Sequence, residues 1–71
     1  MNLEEAGRQL ELAIHDARVA FDCIELEDLD RAQQHAIMAR AAVDAAENVI
    51  RVALDERDSR TPAEAEDAIA K

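Results

Sequence analysis

Tryptophan and tyrosine are absent from this chain of 71 residues, and phenylalanine, glycine, proline and cysteine occur once each. Each shortage excludes something. With Phe21 as the sole aromatic, no platform for stacked bases or flat cofactors can be assembled. One glycine cannot build a glycine-rich phosphate loop. Cys23 has no partner for an intrachain disulfide, which fits a reducing, cytoplasmic setting. Lysine is nearly missing: the basic residues are arginine except for Lys71, a bias that with abundant alanine points to a GC-rich bacterial or phage genome. No apolar run approaches the roughly 20 residues of a membrane span, and the basic-then-apolar pattern of a secretory leader is not present.

Acids are what the chain has in excess. Seventeen Asp and Glu stand against eight Lys and Arg, for a net charge of −9. Residues 1–30 hold nine of the acids and two arginines, whereas residues 31–57 are balanced at four and four. Such a surface repels phosphate backbones, so direct nucleic-acid binding is not expected. It suits a basic protein partner.

The stretch Asp30–Arg57 runs for twenty-eight residues without Gly or Pro and is rich in Ala, Arg, Gln and Glu, all good helix formers. Asp30 followed by Gln33 has the spacing of a capping box. Ala32, Ala39, Ala46 and Ala53 recur every seven residues, and so do Leu29, Ala36, Val43 and Ile50, the two lines together giving the alternating spacing of a coiled-coil seam. Met38, Ala42, Ala45, Val49 and Val52 widen the apolar sector.

A second helix precedes it, starting near Leu3 behind an Asn2–Glu5 capping box. Ala6, Ala13 and Ala20 form a matching ladder, beside the line Leu3, Gly7, Leu10, Ile14, Ala17, Phe21 and Ile24. Leu12, Val19 and Leu26 lie further round, with Cys23 on the flank. Gly7 is read as a close approach of a neighbouring backbone or a frayed end. The short link Glu25–Asp30 forces antiparallel packing, with Leu26 and Leu29 plugging the end of the seam.

The expected fold is therefore all-α: an antiparallel two-helix hairpin over residues 1–58, coiled-coil-like with an Ala-rich seam. Thr61-Pro62-Ala63-Glu64 is a helix start, so residues 59–71 are expected to form a short C-terminal helix or flexible tail. Below roughly 70–80 residues a single core rarely supplies more than about 3–5 kcal/mol. Without a disulfide or a metal, association is the remaining remedy. The apolar lines cover about 200° of the first helix, and a partner helix in a hairpin hides only about half of that. A homodimeric four-helix bundle is expected, or a tetramer, with Leu3, Leu10, Ile14, Phe21, Ile24, Met38, Val49 and Val52 at the self-association interface. In topology this resembles the small plasmid copy-number regulators that are also short dimerising hairpins. The likeness is architectural, aligns no motif and carries over no residue role.

Catalytic and metal chemistry is thinly represented. The residues three before His15 and His35 are Leu12 and Ala32, so the Glu-x-x-His pairs of di-iron bundles are missing. Glu11 and His15 share a polar face and are read as a solvated pair. The acids of the link lack the alternation of a calcium loop, and Ser59 and Thr61 lie near no His in sequence. Cys23 is read as an inert, partly buried thiol, and His35 as an ordinary interface histidine. No enzyme activity, cofactor or metal is expected.

The functional expectation is a non-enzymatic interaction protein, an adaptor or regulator. Its acidic face, Glu4, Glu11, Asp22, Glu25 and Glu27, is the expected surface for a basic partner. One alternative is a phage-type inhibitor of a host defence system, an anti-CRISPR or similar, whose acidic face occupies a nucleic-acid groove. Another is a small-molecule sponge with a pocket between protomers, using Arg31, Arg40 or Arg51.

Overall fold

The computed structural model describes residues 3–59. They form two helices, α1 (Leu3–Glu25) and α2 (Leu29–Asp58), packed against each other as an antiparallel hairpin. The expected Asn2 cap and the expected C-terminal helix or tail at 60–71 lie outside the described residues.

Acids in the first turn of α1, Glu4 and Glu5, suit the positive end of the helix dipole. Glu5 accepts hydrogen bonds from Gln9 (3.0 Å) and from Arg8. The Gln9 amide first, and the Arg8 guanidinium after it, hold the Glu5 carboxyl below the usual carboxylate range. On α2, Arg51 reaches Glu47 at 3.2 Å and Asn48 at 2.6 Å. Pairs of this kind on an exposed helix face are screened by water and support the helix only weakly.

The turn is tighter than the sequence suggests. The Glu27 amide donates to the Ile24 carbonyl (3.0 Å) and the Asp28 amide to the Cys23 carbonyl (2.8 Å), the paired bonds of a Schellman motif. The motif requires a left-handed residue, and Glu27 supplies it at φ 58°. Asp28 then serves both helices: having closed α1 with its amide, it caps α2 by accepting the Arg31 amide on its side chain (3.2 Å). The cap is thus Asp28 and not Asp30, which sits in the first turn of α2. Two helices share one residue as terminator and initiator, so no longer link is needed.

Glycine is the usual occupant of the left-handed position because a Cβ there is strained. Glu27 also places a negative charge at the negative end of α1. Glu27→Gly is expected to stabilise the hairpin by about 1 kcal/mol. A urea midpoint that stays put or falls at fixed protein concentration would contradict this turn geometry.

Packing follows the alanine ladders. Ala6, Ala13 and Ala20 on α1, and Ala32, Ala46 and Ala53 on α2, are buried, while Ala39 is half-buried. The companion lines differ from the sequence expectation. The seam is completed by residues three places after each ladder alanine: Gln9, Asp16 and Cys23 on α1, and His35, Ala42 and Val49 on α2. Leu29, Val43 and Ile50, expected in the seam, are exposed, as are Leu3, Leu10, Ile14, Phe21 and Ile24. Leu26 and Leu29 do not plug the seam; they stand 79% and 69% exposed. Cys23 sits in the seam and not on its flank. A Cβ built on Gly7 would meet nothing within 4 Å, so within the hairpin this glycine answers to no close backbone.

The interior is therefore made of small side chains. Among the described residues the buried apolar groups are seven alanines and one cysteine. A buried methyl or methylene contributes about 0.8 kcal/mol, against about 1.5–3 kcal/mol for a whole Leu, Ile or Phe side chain. The large side chains that could supply the greater share are on the outside.

Candidate interaction surfaces

Offsets from the alanine ladder place every side chain. The buried ladder and the line three places after it have the same offsets on both antiparallel helices. Residues at equal offsets therefore fall on the same side of the seam in α1 and α2. Three surfaces result.

The first lies four places and one place after each ladder alanine. On α1 it carries Leu3, Leu10, Ile14, Phe21 and Ile24, with Gly7 and Ala17 between them. On α2 it carries Leu29, Ala36, Val43, Ile50 and Leu54, with Gln33, Arg40, Glu47 and Arg57 toward its edge. Ile14 and Phe21 are 63% and 62% exposed. No residue of the α1 half of this surface is ionisable.

The second surface, immediately before each ladder alanine, is narrower. It comprises Glu5, Leu12 and Val19 on α1 with Leu26 in the turn, and Arg31, Met38, Ala45 and Val52 on α2. Leu12, Met38 and Val52 are exposed and Val19 is half-buried. The self-association set read from the sequence is thus distributed. Leu3, Leu10, Ile14, Phe21 and Ile24 share the first surface, Met38 and Val52 occupy the second, and Val49 is half-buried in the seam.

The third surface faces outward from α1. Glu4, Glu11 and Glu25 lie in one line with Arg18, and Asp22 lies in the next with Arg8 and His15. Glu27 adds its charge at the turn, and all five acids are exposed. Arg8, Glu11 and Leu12 border an open depression of about 400 Å³. Arg31, Arg40 and Arg51 belong to three different sides of α2 and do not converge on a common anion position.

One polar contact belongs to none of these surfaces. Asp16, 7% exposed, projects into the seam, and its Oδ1 lies 3.0 Å from His35 Nδ1. The carboxylate accepts and the ring N–H donates, so the acid deepest in the hairpin is satisfied across the helix pair. Sequence reading missed Asp16. The signal was its offset: Asp16 follows Ala13 by three places and His35 follows Ala32 by three, the same seam position on both helices. Cys23 follows Asp16 by seven residues, about 10 Å along the helix, so the thiol and the imidazole do not form a nucleophile–base pair. Among the described residues no group of three or more His, Cys, Asp and Glu is placed to hold a metal ion. No helix among them is long and apolar enough to cross a membrane.

Comparison with protein-family models, with curated proteins and with solved structures finds no match to this chain.

Proposed function

We propose that this chain is a small, acidic, non-enzymatic interaction protein, an adaptor or regulator that works through protein–protein contacts and self-associates as a homodimeric four-helix bundle. One observation carries the reading. Among the described residues fourteen large apolar side chains are exposed, whereas the interior holds only alanine and cysteine besides Asp16. Monomeric proteins rarely expose contiguous apolar patches of more than a few hundred Å², and larger ones mark interaction sites. A second hairpin laid over this one converts exposed Leu, Ile and Phe into the core that the single hairpin lacks. Light scattering coupled to size exclusion tests it. The expected mass is twice the 7.8 kDa of one chain. A fully helical particle of one chain's mass removes the self-association.

The acidic outward strip of α1 supports a further role for the same molecule. Glu4, Glu11, Asp22, Glu25 and Glu27 stand clear of the seam and of both apolar surfaces. A basic protein can dock there while the bundle stays assembled, including the nucleic-acid groove of a host defence complex. Binding of that kind weakens steeply between low and physiological salt. Capture that resists salt would place the contact elsewhere.

A further inference from the structure

Resting on that self-association, we infer that the first apolar surface, bearing Leu10, Ile14, Phe21 and Ile24 of α1 with Val43 and Ile50 of α2, is the face that mates with a second copy, leaving the Leu12–Met38 side outside the dimer.

Charge and apolar content together select this face. Each copy carries −9, so two copies repel unless they meet where the acids are not. The α1 half of this surface has no ionisable residue, and on the α2 half Arg40, Glu47 and Arg57 leave no net negative charge. The outward side is acidic, and the opposite side, where Glu5 balances Arg31, exposes as large apolar side chains only Leu12, Leu26, Met38 and Val52. A basic foreign partner would be drawn to the acids and gain nothing from a neutral face. A second copy needs that neutrality.

Area agrees. At about 1.5 Å per residue α1 is roughly 34 Å long, and two adjacent helices of about 10 Å diameter make a strip about 20 Å wide. Two such strips enclose on the order of 1,400 Å², within the about 1,200–2,000 Å² of a stable protein–protein interface. The chain's own remaining segment is a poor substitute. Residues 60–71 contain a single large apolar side chain, Ile69, against at least nine exposed on this face.

The test is thiol labelling by a charged maleimide in the full-length chain with Cys23→Ala, a change that keeps a small side chain in the seam. Ile14→Cys and Phe21→Cys report the proposed face and Leu12→Cys the other. In the dimer, labelling at positions 14 and 21 is expected to be at least tenfold slower than at position 12, with the difference vanishing on denaturation. In parallel, Phe21→Glu should weaken dimerisation at least tenfold by light scattering while Leu12→Glu leaves it within about twofold. A dimer in which position 12 is protected and position 21 labels freely, or in which both or neither are protected, overturns the face assignment alone. A Cys23→Ala chain that is monomeric and helical, like an equally monomeric unsubstituted chain, overturns the self-association beneath it.

Discussion

Ala46→Leu is expected to destabilise the hairpin by about 3 kcal/mol, the upper part of the range for overpacking a tight interior. Ala46 is 1% exposed, the most enclosed residue among those described, and it faces the opposing ladder of alanines. Three added carbons find little room at a ladder position enclosed to this degree, since the ladder alanines have no rotamers to change. The helices must separate, and every other ladder contact loosens with them. Ala41, on the outward side of the same helix, is the control: Ala41→Leu should shift the unfolding midpoint by no more than about 0.5 kcal/mol. Equal effects at the two positions would mean that the seam does not run through Ala46.

The second large effect concerns the Asp16–His35 contact, and its content lies in an asymmetry. Removing the ring by His35→Ala leaves a carboxylate whose side chain is only 9% exposed without the donor it had. That should cost about 2–3 kcal/mol, the expense of stranding a charged acceptor away from water. Asp16→Ala strands less, because the His35 side chain is 26% exposed and its ring N–H can turn to solvent. It also puts a better helix former in mid-helix, worth about 0.5 kcal/mol, so the net loss should be below about 1 kcal/mol. The double variant continues the alanine ladder through both positions and should be more stable than His35→Ala alone. Urea unfolding of the four proteins gives the cycle directly. If His35→Ala proved no worse than Asp16→Ala, the carboxylate would not be enclosed as described.

This pair also bears on why the chain adopts one register. Alanine ladders are nearly featureless, so the alignment is left to the turn at Glu27 and Asp28 and to this pair. A single acid and a single imidazole at the same seam offset meet in only one alignment. A buried polar contact of this kind specifies register more than it adds stability, as polar seam residues do in coiled coils.

The helices and the hairpin were legible because Ala-rich, Gly- and Pro-poor stretches with a seven-residue repeat admit little else. The ladder Ala6, Ala13, Ala20 and its counterpart Ala32, Ala46, Ala53 were legible for the same reason. The companion line was not. Hydrophobic patterning assigns Leu29, Val43 and Ile50 to the interior because they are larger than Ala42 and more apolar than His35. That rule ranks residues by apolar size within a single chain, and this chain reserves its larger side chains for the outside. The same assumption concealed Asp16, since an acid is expected on the surface unless a partner for it is already in view. Asp28 was displaced by Asp30 as the cap because the capping-box spacing was read without the Schellman turn that ends α1. Local spacing named a chemically suitable residue, and only the turn geometry decides between two aspartates two places apart. The three surfaces became separable once the true seam was in place, since every offset is counted from it.

Helicity followed by circular dichroism over a dilution series from about 100 μM to below 1 μM tests the central claim most directly. If an alanine-filled hairpin depends on a second copy to cover its Leu, Ile and Phe, helicity and thermal midpoint should fall together on dilution as the mass drops to one chain. A chain that keeps full helicity and an unchanged midpoint at the lowest concentration, with the mass of a monomer, contradicts it.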